Sequence, residues 1–336
     1  MRQEENQTYL LSNFQLDEPT TLAQVQAQYP NLIIRRIANS IYTVEVPPGN
    51  QEEFLNFQQR VKFVTLPILY GLNATPALDA ANINVFKGEA FGGLRGSGVL
   101  IGFVDTGIQY TNNVFKNADN TTRIQAIWDQ TIEGGPTPPN YDYGTVYDQA
   151  AINNALAQAD PYTVVPSRDE IGHGTYLAGI AAGEDQLNED GYEGGAPDAM
   201  ILMVKLRPAS QFLRDNYLIE PNAVAYSEND IIAGVTYLVE EALRQQKPLV
   251  ICIGVGSNYG AHNGTNIFER YLDTLSILQN IIIVIAAGNE GNLGHHYEGT
   301  IAQDETQEFE INVAEDSTGF PLYVWSLLPD KVTVAV

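Results

Sequence analysis

Four short runs constrain this chain more than any other feature. "GVLIGFV" (98–104), "AMILMVKL" (199–206), "PLVICIG" (248–254) and "IIIVIAA" (281–287) are apolar almost without interruption. They do not alternate with polar residues, so each reads as a strand buried on both faces. Helical patterns lie between them, including "GHGTYLAGIAAG" (172–183) and "ENDIIAGVTYLVEEALRQQ" (228–246). Buried strands alternating with helices predict an α/β fold whose parallel sheet carries helices on both faces.

The two flanks are written differently. In the first seventy residues, "TYLLSNF", "NLIIRRI", "SIYTVEV" and "RVKFVTLP" read as strands. "TTLAQVQAQY" and "GNQEEFLNFQQ" read as helices, the first opened by Thr20 or Thr21. The order β-α-β-β-α-β is that of a ferredoxin-like split unit ending near "TLPILYGLNATP". From about residue 297, "QEFEINV", "FPLYVW" and "DKVTVAV" alternate in the manner of half-buried antiparallel strands. The last of these stops mid-strand with an open edge, so a longer protein is expected.

Charge and cysteine content narrow the partners. With 41 acidic and 17 basic residues the net charge is −24. Such a surface repels nucleic acid and anionic membrane, and neither is expected as a partner. The single cysteine, Cys252, rules out a disulfide framework and reads as a buried strand residue with no cation beside it. The start "MRQEENQTYL" lacks the apolar core of a signal peptide, and no apolar run is long enough to span a bilayer.

Three polar residues stand at strand or helix junctions. Asp105 follows the first buried strand, His173 opens a helix between two glycines, and Asn289 follows the last buried strand in "IVIAAGNEGN". Groups at the carboxyl ends of parallel strands line the site-forming edge of a sheet. Their chemistry suits acyl transfer: a carboxylate fixes an imidazole, the imidazole moves a proton, and a carboxamide N–H stabilises an oxyanion. Singly, each has a bland reading. Asp105 could cap a strand end, and His173 could be a satisfied structural histidine. "DTG" also occurs in aspartic proteases, but those need two copies, and only one is present here.

Taken in order, "VDTGI", "GHGTYLAG" and "IAAGNEGN" resemble the aspartate, histidine and asparagine motifs of the subtilisin-like serine proteases, the subtilases. The resemblance runs from about residue 8 to 300. "VPSRDEIGHGT", "NYDYGTVY" and "GNEGNLGHHYEG" are similar to a clostridial branch that includes the Csp germination proteases. The resemblance implies a subtilisin-like parallel sheet over 73–297, preceded by a ferredoxin-like propeptide over 1–72. It also implies the beginning of an antiparallel β-sandwich (jelly-roll) insertion over 298–336. By the same resemblance, Asp105 orients His173, His173 is the general base and Asn289 donates to the oxyanion. Gly254, Val255 and Gly256 would pair with the backbone of a protein or peptide substrate. The propeptide would lie in the cleft, with self-cleavage within 66–76.

One departure stands out. The family's Gly-Thr-Ser nucleophile motif is absent from these 336 residues. Ser257 has no strand-to-helix elbow, and "GTN" (264–266) precedes Asn289, contrary to family order. The serine is therefore expected beyond Val336. The alternative is an inactive pseudoprotease that binds and regulates a related protease. No cofactor is required by this chemistry, and no metal ligand set is assigned. His262, His295 and His296 read as loop histidines. Calcium is compatible with the acidic stretch "GEDQLNEDGYEGG" (183–195), which reads first as a solvated turn. The lack of a signal peptide points to the cytoplasm, and the family link to the spore or cell envelope.

Overall fold

The computed structural model describes residues 10–15, 22–38, 41–47, 49–59, 62–65, 78, 80–139, 141–186, 191–257, 263–264, 267–288, 294, 296–313, 320, 322–326 and 330–335. The chain divides into two compact units, Met1–Asn73 and Ala74–Val336.

The first unit runs β1 (Leu10–Gln15), α1 (Leu22–Gln28), β2 (Ile33–Ala38), β3 (Ile41–Val46), α2 (Gln51–Gln58) and β4 (Lys62–Thr65). Its sheet has the order β2-β3-β1-β4 with every neighbouring pair antiparallel. Each helix thus connects two strands with a third lying between them, the split arrangement expected from the sequence. The apolar residues fall at helical spacing, Val25 with Tyr29 and Phe54 with Phe57, and meet Leu32, Ile34, Val44 and Val46 in one core. Tyr29 packs edge-on to Phe57 at 5.3 Å between ring centroids. Burial of each such side chain contributes about 1.5–3 kcal/mol.

The second unit is built on β5 (Leu100–Asp105), β6 (Ile124–Asp129), β7 (Thr145–Asp148), β8 (Met200–Lys205), β9 (Leu249–Ile253) and β10 (Ile281–Ile285). Its helices are α3 (Ile83–Phe86), α4 (Gln149–Leu156), α5 (His173–Ala182), α6 (Gln211–Asn216), α7 (Glu228–Gln245) and α8 (Ile267–Ser276). The strand order is β10-β9-β5-β8-β6-β7, parallel throughout except for β7, which pairs antiparallel with β6.

The two faces of the sheet follow the period of two along each strand. Leu100, Val104, Leu202, Val204, Ile251 and Ile253 share a core with Val235, Leu238 and Ala242 of α7 and Leu272 and Leu275 of α8. Ile101, Phe103, Ile201 and Met203 share the other with Ile152 and Ala155 of α4 and Ala178 and Ala182 of α5. Burial on both faces is why β5 and β8 read as unbroken apolar runs.

One stretch of sheet is bare. On the α5 side, Ile282 and Val284 of β10 are 60% and 51% exposed. Val250 and Cys252 of β9, on the same face, are only partly buried. Beyond Ile285 no strand forms among the described residues, and Phe309, Ile311 and Val313 are exposed. The antiparallel strands expected there therefore do not appear. A strand needs a neighbouring strand for its N–H and C=O groups, and among the described residues no strand pairing is formed past Ile285. Among the described residues no helix is long and apolar enough to cross a membrane.

Candidate active site

The chain leaves β5 for β6 and β8 on one side and later crosses to β9 and β10 on the other. The connections therefore diverge between β5 and β9. The carboxyl ends of strands at such a divergence form a crevice. Asp105 is the last residue of β5, and its side chain follows Ile101 and Phe103 onto the α5 face. His173 is the first residue of α5.

Gly174 lets the start of α5 lie against the exit of β5. A Cβ there would overlap the Gly107 carbonyl oxygen and sit 3.1 Å from Asp105 Cβ. With no Cβ in the way, His173 Nδ1 comes 2.8 Å from Asp105 Oδ1. The same oxygen accepts the Thr106 N–H at 2.7 Å. A carboxylate only accepts, so Nδ1 is the donor in this contact and the other ring nitrogen points away from it. The Asp105 side chain is 1% exposed, whereas that of His173 is 45% exposed. A buried acid thus holds a base whose far edge is open to the crevice.

Gly254, directly after β9, closes the third side. A Cβ at this position would lie 2.5 Å from Asp105 Oδ2 and 3.2 Å from His173 Cε1, and would overlap Leu177 Cδ1. Val255 is partly buried, and Gly256 is exposed as the chain leaves the sheet. Gly254 is thus in direct contact with the pair, and Val255 and Gly256 follow it out of the sheet. Asn289 lies outside the described residues.

The subtilase family model matches residues 96–317. The chain belongs to the subtilase family. Among solved structures it is similar to the CspB protease of Clostridium perfringens, with 38% identity and a TM-score of 0.55, over 66% of this chain and 42% of that one. Among curated proteins it is 27% identical to subtilisin-like protease SBT3.5 of Arabidopsis thaliana over 58% of this chain and 26% of that protein. It is 28% identical to pyrolysin of Pyrococcus furiosus over 58% of this chain and 14% of that protein. The chain thus spans less than half the length of each.

Several site neighbours in this subtilase escape sequence reasoning. Asp169 accepts hydrogen bonds from the Thr106 hydroxyl (2.8 Å), the Gly172 N–H (2.8 Å), the Thr175 N–H (2.9 Å) and the Thr175 hydroxyl (2.6 Å). Burial pushes its carboxyl upward, but the Thr175, Gly172 and Thr106 hydrogen bonds outweigh this and hold it below the ordinary carboxylate range. Lys205, opposite Asp105 in the β5–β8 register, donates to the Arg168 carbonyl (2.7 Å) and to Glu170 (2.8 Å). It thereby ties the segment entering α5 to β8. Tyr226 bridges back to Pro208. Burial, together with the charges of Asp105, Asp169 and Glu170, pushes its phenol up to about 12. The sequence signal for Asp169 was an acid three residues before Gly172 and a threonine two after His173, a displaced capping pattern.

Burial and the Asp105 charge push the Cys252 thiol upward, away from thiolate chemistry. In the acidic stretch, Glu184 and Glu193 both pair with Arg95, the former at 2.6 Å. Among the described residues no cluster of three or more His, Cys, Asp or Glu could hold a metal.

Proposed function

We propose that this chain carries the acid and the base of a subtilisin-type serine endopeptidase. The observation that carries the reading is the 2.8 Å contact between buried Asp105 and half-open His173 at the divergence of the sheet. In this reading His173 takes the proton of a serine hydroxyl as its oxygen attacks the scissile carbonyl, and returns it to the leaving amine. Water then repeats the sequence to release the acyl group. Asp105 keeps the ring in the required tautomer and stabilises its protonated form. Asn289 donates its amide N–H to the oxyanion. Gly254, Val255 and Gly256 offer bare backbone to the substrate peptide. Side chains and water suffice, so no cofactor is called for, although calcium would be compatible with the fold.

The nucleophile belongs to a segment beyond Val336 in this reading. The bare face formed by Val250, Cys252, Ile282 and Val284 lies beside α5 and suits a small-residue helix bearing that serine. Residues 1–72 act as a propeptide whose C-terminal stretch occupies the crevice, and residues 298–336 begin a β-sandwich insertion. The substrate is a protein or peptide, and the location is cytoplasmic or at the spore or cell envelope.

The test is maturation of the protein extended through its nucleophile. His173→Ala should remain joined to residues 1–72 while the parent is cleaved within 66–76, as read by mass spectrometry. Normal cleavage of the variant would mean another group is the base. Absence of cleavage in both would favour a pseudoprotease that regulates a related enzyme.

A further inference from the structure

We propose that Asp169 and Thr106 form a bridge that sets the orientation of the His173 ring. They are positioning residues and do not touch the reacting atoms. The proposal rests on the triad reading for what the ring does, but not for how it is held.

Helix α5 begins without an ordinary cap. Gly172 precedes it in a left-handed conformation (φ 88°) and has no side chain to offer. The N–H groups of a first turn have no partner within the helix and need one from outside. Asp169 supplies it from three residues ahead. Its Oδ1 accepts the Gly172 N–H, and its Oδ2 accepts both the N–H and the hydroxyl of Thr175. Thr106 supplies another, because its hydroxyl accepts the Gly174 N–H at 2.9 Å. The backbone is therefore pinned immediately before and immediately after His173, by two different elements.

Thr106 also reaches the acid. Its own N–H donates to Asp105 Oδ1, the oxygen that receives His173 Nδ1. One residue thus holds Asp105 through its backbone and the first turn of α5 through its hydroxyl. Asp169 locks that hydroxyl from behind.

The direction of every proton in this bridge is fixed. The Thr106 hydroxyl receives the Gly174 N–H, and the Thr175 hydroxyl receives the Gln109 N–H at 2.9 Å. Each hydroxyl must then give its single proton to Asp169. Four donors converge on one carboxylate. Asparagine would turn an NH2 group toward two of them. A negative charge at the start of α5 is also favoured by the helix dipole. The consequence is geometric: misplacing a reacting group by about 1 Å can cost about a hundredfold in rate.

The test reads the ring directly in the 336-residue chain and needs no turnover. With 15N-labelled histidine, the Nδ1 proton of His173 is assigned by its loss in His173→Gln. Its exchange with water is then compared across variants. Thr106→Val keeps the branched shape and removes the hydroxyl, whereas Thr106→Ser keeps the hydroxyl. Thr106→Val and Asp169→Asn should exchange the ring proton at least about tenfold faster than the parent, and Thr106→Ser should stay close to it. The proposal is overturned if Thr106→Val keeps parental protection, whether or not its melting temperature falls. It is equally overturned if Thr106→Ser loses as much protection as Thr106→Val. Should Asp169→Asn not fold, the two Thr106 variants decide. Failure of the protease reading would appear as absent maturation and leave these exchange rates unchanged.

Discussion

At the scale of single residues, the site depends on where carboxylates sit and what they accept. Asp105 and His173 are 68 positions apart in sequence and 2.8 Å apart in space. Asp169 works beside them with a folded pKa depressed by its hydrogen bonds. As pH falls, the unfolded chain protonates this carboxylate first, near the ordinary value of about 4. Its stabilisation is therefore complete above that value and is lost as pH drops through the lower folded one. Unfolding free energy measured by denaturant titration from about pH 6 to about pH 3 should decline more steeply in the parent than in Asp169→Asn. Parallel curves would mean that Asp169 titrates alike in the folded and unfolded chains.

At the scale of elements, legibility in the sequence tracks apolar content. The strands β5, β8, β9 and β10 announce themselves because both faces are apolar. β6 does not, because Gln125 and Asp129 interrupt "IQAIWD" and the strand looks mixed. β7, α4 and α6 span only 4, 8 and 6 residues and offer too little periodicity to read. Asp105 and His173 were legible from their glycine-flanked junctions. Asp169 was not, since its role exists only once Thr106, Gly172 and Thr175 converge. In the tail the pattern alternates, but among the described residues past Ile285 no strand is formed. The sheet makes its own prediction. Ile251→Ala, at a fully buried position, should cost about 2–5 kcal/mol in chemical denaturation. Ile282→Ala, on the bare face, should stay within about 0.5 kcal/mol. Equal losses would mean that Ile282 is covered in solution.

At the scale of the whole molecule, two compact units divide the labour differently. The first buries a small core beneath a four-stranded antiparallel sheet, and the second offers a crevice at the divergence of a parallel sheet. The charge of −24 is spread over the chain without forming the site; two acids of the stretch 183–195 are spent on Arg95. What the second unit presents is a buried acid, a histidine tethered to it, bare backbone at Gly254 and an uncovered apolar face on the same side of the sheet; in the proposed reading these are half of an acyl-transfer centre.

The most direct measurement is covalent labelling of the protein extended beyond Val336 with a fluorophosphonate, read by peptide mapping. The account predicts one modified serine, located beyond Val336, and labelling at least about a thousandfold slower in His173→Ala. A serine that reacts equally well without the imidazole, or a protein that takes up no label at all, would contradict it.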